Sequence, residues 1–258
     1  SVSSNEGGTG AVASADPTVG APPTMTKAFG AGTVVFGQSV SLAFTMTNTN
    51  TTVSTTGLGF TDNLPSGLTV ATPNGLVNTC GGTATAVASS SVVQLSGGSL
   101  AAGASCTFSV NVIGTSVGSK NNSALVTSAN LGNGNTANAS IAVLAATPTL
   151  SVTNTPTAYT GSAIAAQVAC LGGGTATVTN YSNGTNYNSA NAPTAAGNYT
   201  VTANCAQSAN YSAQNGLTAS FVINAAVTQT PISNTALLTL AGLLAAAGWW
   251  TLEQRQRA

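Results

Sequence analysis

Residues 105–113 read SCTFSVNVI, and this stretch decides the fold class. Cys106, Phe108, Val110 and Val112 alternate with polar residues, which is the period-2 pattern of a strand with one buried face. Residues 39–48, SVSLAFTMTN, alternate in the same way. Similar short runs recur with turn residues between them, at spacings of about 8–12 residues that are typical of a β-sandwich. We therefore predict an all-β chain.

The strand pattern falls into two sets. SALVTS (123–128) and ASIAVL (139–144) complete the first set, and GNGNTA (132–137) between them predicts a loop because Asn and Gly favour turns. The pattern restarts near residue 147 and includes NYTVTANC (198–205). We predict two immunoglobulin-like β-sandwiches in tandem. The predicted segments are a flexible linker over 1–23, the sandwiches over 24–146 and 147–225, a linker over 226–235 and a tail over 236–258.

The predicted tail is apolar. Residues 236–252, ALLTLAGLLAAAGWWTL, contain no charged residue, and their length is close to the lower limit for a helix that spans a membrane. Trp249 and Trp250 stand where interfacial aromatic residues belong, and Arg255 and Arg257 follow them on the side predicted to be cytoplasmic. We predict a C-terminal transmembrane helix, and a buried or interfacial helix is the alternative.

Charge is scarce along the whole chain. Charged residues make up 3% of the sequence, against roughly 25% in an ordinary globular protein, and the net charge is zero. The chain therefore has no basic field that would attract nucleic acid. It contains no histidine, so a Ser-His-Asp triad cannot form and zinc is disfavoured. We expect a non-enzymatic protein with no catalytic residue, no metal and no cofactor.

The four cysteines divide evenly between the two predicted sandwiches. Cys80 and Cys106 lie in the first half, and Cys170 and Cys205 in the second. One disulfide in each domain is the simplest interpretation, although four cysteines permit three connectivities. Four buried free thiols are the alternative. Disulfides would imply folding in an oxidising compartment.

Three segments of the chain resemble parts of known bacterial surface proteins. Residues 24–144, with TMTKAFG near their start, NTCGG at 78–82 and GASCTFSVNV at 103–112, resemble the conserved Ig-like repeat domain of such proteins, which supports a Cys80–Cys106 bridge. Residues 148–224 are similar to small Ig-like modules of adhesins, through PTAAGNYTVTANC. Residues 231–257 resemble IPTL-CTERM sorting tails, although PISN stands where Ile-Pro-Thr-Leu is usual. The resemblance implies export and surface display, without a defined ligand.

Lys27, Asp62 and Asn122 form a candidate site for an isopeptide bond. Some surface Ig-like domains join a Lys amine to an Asn side chain with help from a nearby acid, and this resemblance implies the same role for these three residues. The chemistry needs a buried, neutral lysine, which desolvation can provide. The alternative is an ordinary Lys27–Asp62 ion pair with Asn122 in a turn.

The most direct functional hypothesis is a structural display stalk, exported to the bacterial cell envelope and anchored by its C-terminal segment. The first alternative is an adhesin that binds a glycan or a surface protein, because all five tyrosines fall in the second half. The second alternative is an extracellular filament subunit that self-associates along uncharged strand edges. The expected partners are therefore the membrane, a sorting protease, a glycan or protein ligand, or further copies, but not nucleic acid.

Overall fold

The computed structural model describes residues 20–226, together with two short strands nearer the N-terminus. Every regular element in these ranges is a β-strand, so the all-β prediction is confirmed for the part of the chain that the structure describes. The two short strands are β1 (Ser3–Ser4) and β2 (Gly8–Thr9), and they pair with each other. They lie in the segment that the sequence predicts as a linker.

Eleven strands follow before residue 147. They are β3 (Thr24–Phe29), β4 (Thr33–Val35), β5 (Ser39–Thr47), β6 (Thr55–Asn63), β7 (Leu68–Val70), β8 (Val77–Asn78), β9 (Thr83–Ala86), β10 (Val92–Leu100), β11 (Ser105–Gly114), β12 (Gly118–Ser128) and β13 (Gly132–Leu144). One sheet has the order β4-β13-β12-β6-β10-β9, and the other has the order β3-β5-β11-β7, with β8 also paired to β11. Long strands such as β11 and β12 alternate between buried and more exposed residues, as a sheet with one core face requires.

The core of this region lies between the two sheets. Phe108 on β11 is directly opposite Phe44 on β5, so both rings lie on one sheet and point the same way. Phe60 on β6 comes from the other sheet, and its ring stacks on Phe44 with 4.4 Å between the centroids. Its centroid is 5.2 Å from that of Phe108 in an edge-to-face arrangement. Aromatic pairs at these separations stabilise a core beyond their buried area, so this trio stabilises the contact between the two sheets.

Seven further strands follow residue 147. They are β14 (Thr149–Val152), β15 (Thr157–Ala158), β16 (Val168–Leu171), β17 (Ala176–Ser182), β18 (Asn188–Ser189), β19 (Gly197–Cys205) and β20 (Gln214–Asn224). Strands β14 and β16 form a two-stranded sheet, and the others form a sheet with the order β15-β20-β19-β17-β18. Val201 on β19 and Phe221 on β20 are fully buried.

The chain divides into two compact units. The first comprises 1–151 with Val168–Thr177 and Ala203–Leu217, and the second comprises Val152–Gln167, Val178–Thr202 and the chain from Thr218 onward. The tandem domains with a boundary near residue 147 remain a prediction.

Two strands are longer than the sequence predicts. Strand β12 begins at Gly118 instead of residue 123, and β13 begins at Gly132, so the prediction of a loop over 132–137 is wrong. The added start of β12 pairs with the predicted part of β13, from Gly118 opposite Val143 to Asn122 opposite Ala139. The added start of β13 pairs with the predicted part of β12, from Gly132 opposite Ser128 to Ala137 opposite Ala124. The start of β12 is not recognisable as a strand in the sequence because its inward positions are Lys120 and Asn122. These two polar residues interrupt the apolar alternation but keep the strand geometry.

Candidate functional site

Three polar side chains meet in the core of the first unit. Lys27 is 7% exposed, Asp62 0% and Asn122 4%. Charged side chains are almost never buried to this degree unless they are paired, so each of them requires a partner inside the protein. The structure brings together all three residues that the sequence singled out for this site.

The strand pairing explains how distant residues meet here. Lys27 lies on β3, one inward position after Met25, and therefore belongs to the β3-β5-β11-β7 sheet. Asp62 on β6 is directly opposite Ala124 on β12 in the facing sheet. Asn122 precedes Ala124 by two residues, so it shares the inward face and is the diagonal neighbour of Asp62. Lys27 thus reaches across the core from one sheet to Asp62 on the other, and Asn122 lies on the strand beside Asp62.

Asp62 bridges the other two side chains. The Lys27 Nζ donates to Asp62 Oδ1 at 2.8 Å, and both side chains of this ion pair are 0% exposed. The Asn122 Nδ2 donates to Asp62 Oδ2 at 3.0 Å. The Asn122 Oδ1 is also buried but has no hydrogen-bond partner. The site therefore contains an amine, a carboxyl group and an unsatisfied amide carbonyl in one hydrogen-bonded cluster.

The electrostatics of the site make the Lys27 amine easier to deprotonate than the amine of an exposed lysine. Burial lowers the pKa of Lys27 below its usual value, and the hydrogen bond and charge of Asp62 only partly oppose this. Asp62 is the only carboxylate between residues 17 and 252. The Lys27 Nζ also lies 5.2 Å from the centroid of the Phe44 ring, which is a cation–π distance. Sequence reasoning missed this role of Phe44, because its alternation indicates only a core residue.

Such a cluster has the parts needed for acyl transfer to an amine. A deprotonated lysine is a nucleophile, and desolvation is one way by which proteins obtain it. A carboxyl group that contacts both the amine and the carboxamide can move a proton between them. The same geometry also fits a plain buried ion pair, which is costly to form because both ions lose their hydration.

The second lysine of the described chain lies near this site but differs in its partners. Lys120 is on β12 and is 8% exposed. Its Nζ donates to the Ser116 Oγ at 3.0 Å, and among the described residues it forms no ion pair. Lys120 therefore provides an internal comparison for Lys27, with similar burial but without a hydrogen bond to a carboxyl group.

Both halves of the chain contain a disulfide. The structure joins Cys80 to Cys106, 26 residues apart, and Cys170 to Cys205, 35 residues apart. Cys80 is followed by Gly81 and Gly82, which both have positive φ, at 69° and 68°. Only glycine adopts two such conformations in succession at little cost, so the Cys-Gly-Gly motif provides the turn after the cysteine. All four cysteines are bonded.

The tyrosines of the second half divide between core and surface. Tyr181 is 3% exposed, its ring lies 6.2 Å from that of Phe221, and its hydroxyl accepts a hydrogen bond from the Ala166 N–H. It is a core residue and is not available as a contact for a sugar. Tyr159 is 39% exposed. The adhesin hypothesis remains a prediction, and Tyr181 does not support it.

The tail residues Trp249, Trp250, Arg255 and Arg257 lie outside the described residues, as does the predicted C-terminal helix. Within the described part of the chain, no helix has the length and apolar character needed to cross a membrane. In the same residues, no three His, Cys, Asp or Glu side chains come together as they would to hold a metal ion.

The first half of the chain matches a known protein family. Residues 23–143 match the family described as Domain of unknown function (DUF7933). This stretch contains Lys27, Asp62 and Asn122 as well as the Cys80–Cys106 disulfide. No curated protein matches the chain.

Several solved structures are similar to the chain. BcpA, the major pilin subunit of Bacillus cereus, is 9% identical, with a TM-score of 0.39 over 79% of this chain and 69% of that one. BslA, a bacterial hydrophobin, is 18% identical, with a TM-score of 0.34 over 48% of this chain and 95% of that one. A cohesin module from a Clostridium perfringens family 33 glycoside hydrolase is 11% identical, with a TM-score of 0.35 over 49% of this chain and 98% of that one.

Proposed function

We propose that this chain is an exported, non-enzymatic structural protein of the bacterial cell surface. In this proposal two Ig-like modules act as a stalk that spaces other parts of the protein from the envelope, and the segment from 236 onward anchors them. The observation that carries the proposal is the pair of disulfides, one in each half of the chain. Disulfides form and persist in oxidising compartments such as the periplasm and the cell surface.

The distribution of charge supports a structural role. Between residues 17 and 252 the only charged residues are Lys27, Asp62 and Lys120, and all three are buried. The exposed surface of the described part is therefore formed by neutral side chains such as Thr, Ser and Asn. With Asp62 in the core and no histidine in the chain, the surface of residues 20–226 offers no carboxylate or imidazole for general acid–base catalysis.

Localisation tests the proposal. The chain would be expressed behind a signal peptide in a bacterial host, with an epitope tag placed before Ser1. Antibody binding to whole cells should detect the tag, and alkylation of intact cells should find all four cysteines blocked. Lysine-directed surface labels are unsuitable because Lys27 and Lys120 are buried.

A matched variant that lacks residues 236–258 tests the anchor. We expect the full chain to fractionate with membranes and the shortened chain to be released in soluble form. A sorting protease would shorten the full chain near residue 231, which intact mass would show. Full-length protein in the cytoplasm with reduced cysteines would contradict the proposal.

A further inference from the structure

The buried cluster of Lys27, Asp62 and Asn122 is arranged as a self-modifying site. We propose that the first unit forms an intramolecular amide bond between the Lys27 Nζ and the Asn122 Cγ, with Asp62 as the acid–base residue and ammonia as the leaving group. The bond would covalently join the two sheets of the unit. This inference concerns chemistry inside the unit and is independent of where the protein resides.

The nucleophile is provided by burial. An isolated buried ion pair is poorly stabilised, and the Lys27 Nζ is separated from an Asp62 oxygen by only one hydrogen bond of 2.8 Å. Transfer of one proton along this bond converts the ion pair into a neutral amine and a neutral carboxylic acid. Both products avoid the cost of a charge without hydration, and the amine then has a free electron pair.

The electrophile is Asn122 rather than Asp62. Amide formation at Asp62 itself would need a second acid to activate that carboxyl group. Asp62 is the only carboxylate among the described residues 20–226, so it cannot be electrophile and acid–base residue at once. Asn122 presents a buried carboxamide whose oxygen has no partner and whose nitrogen already contacts the carboxyl group. The unsatisfied carbonyl is an independent sign that a donor belongs there.

The reaction balances without an oxidant or a further reactant. A half-turn of the carboxamide places Oδ1 against the protonated Asp62, which donates to it while the Lys27 Nζ attacks Cγ. The Lys27 Nζ then gives a proton to the Asp62 carboxylate, and Asp62 passes this proton to the Nδ2 of Asn122. The Cγ–Nδ2 bond breaks, ammonia leaves, and the carbonyl re-forms as the proton on oxygen returns to Asp62. One amine and one primary amide become one secondary amide and ammonia.

Trypsin offers a direct test because of where the cleavage sites lie. The chain has trypsin sites at Lys27, Lys120, Arg255 and Arg257, and neither disulfide connects the two sides of Lys120. After reduction and unfolding, the unlinked chain gives peptides 1–27, 28–120 and 121–255. In the linked chain Lys27 is no longer a trypsin site, and segment 1–120 stays attached to 121–255.

Intact mass and the digest together distinguish the outcomes. We expect the reduced protein to lack the mass of one ammonia, and 1–120 to remain joined to 121–255. An unmodified mass with separate peptides would overturn the proposal. Loss of water would place the bond at Asp62 and would overturn the proposal. Loss of ammonia with separated peptides would also overturn the proposal, because it indicates cyclisation within an Asn residue.

Variants assign the roles of the residues. Asp62→Ala retains the amine and the carboxamide but should show the unmodified mass, as should Lys27→Met and Asn122→Ala. Lys120→Arg retains both the buried charge and the trypsin site, and should form the bond like the natural chain. Bond formation in Asp62→Ala would refute the acid–base role. The mass of the natural chain decides the central question even if a variant fails to fold.

Discussion

Replacing Asn122 with Ala distinguishes a covalent bond from an ion pair by the size of the stability change. If the amide bond is present, the substitution opens a closed loop of about 95 residues between Lys27 and position 122, within which the Cys80–Cys106 disulfide is nested. The chain-entropy model assigns about 4–5 kcal/mol to such a cross-link. Without the cross-link the unfolded state of the variant has more conformational entropy, so the free energy of unfolding should fall by about 4–5 kcal/mol.

Without the bond, the same substitution has small opposing effects. It removes a charge-assisted hydrogen bond to Asp62, worth about 1.5–3 kcal/mol, and it removes an unsatisfied buried carbonyl that costs about 1–3 kcal/mol. The two nearly cancel, so an unlinked protein should change by less than about 2 kcal/mol.

Amide hydrogen exchange in β11 is a suitable assay. This strand pairs with β5, β7 and β8 in the centre of its sheet, so its slowest amides exchange only when the unit unfolds. The two tryptophans of the chain lie at 249 and 250 and do not report on this core. We expect exchange in β11 to become about a thousand-fold faster in Asn122→Ala, since each 1.4 kcal/mol is a factor of ten.

The matched control is Asn121→Ala, on the exposed face of β12 beside Asn122, which should change exchange by less than about threefold. Equal exchange in the two variants would refute the reasoning.

The Cys80–Cys106 disulfide and the buried Lys27 amine should each have a measurable effect on stability. The double substitution of Cys80 and Cys106 by Ala should lower the free energy of unfolding by about 3.5 kcal/mol, because the disulfide closes a loop of 26 residues. Chemical denaturation of the double variant measures this change. An unchanged free energy of unfolding would mean that the loop is already restricted in the unfolded state. In Asn122→Ala, where Lys27 keeps its amine, thermal stability should rise with pH between the lowered pKa of Lys27 in the folded state and the usual lysine pKa of 10.5. The folded pKa is lowered, so in this window the unfolded state binds more protons than the folded state. The difference between the melting temperatures of Asn122→Ala and Lys27→Met/Asn122→Ala should therefore change as the pH increases. Parallel plots of melting temperature against pH would contradict a buried, desolvated amine.

Much of the fold is visible in local patterns. The alternation of Cys106, Phe108, Val110 and Val112 predicts β11, because one face of a sandwich strand must be apolar. The start of β12 could not be predicted in this way. Its inward positions Lys120 and Asn122 are polar, and what makes them tolerable is their partners on other strands, which a local pattern does not contain.

The candidate site is non-local for the same reason. Lys27 and Asp62 are 35 residues apart, and Asp62 and Asn122 are 60 residues apart. Their residue types could be noted in the sequence through a resemblance to other surface domains. The unsatisfied Asn122 oxygen and the Phe44 ring beside the amine depend on sheet topology, so only the structure reveals them.

The central claim, a stalk whose first module is covalently closed, is tested most directly by pulling on the chain from its two ends. If Lys27 is bonded to Asn122, the segment between them cannot extend. With the disulfides intact, Asn122→Ala should then release about 69 additional residues, or about 240 Å of extended chain, compared with the natural protein. Single-molecule force extension resolves this difference. A natural chain that contains the amide bond should be shorter than the variant by this length at full unfolding. Equal lengths for the two proteins would contradict it.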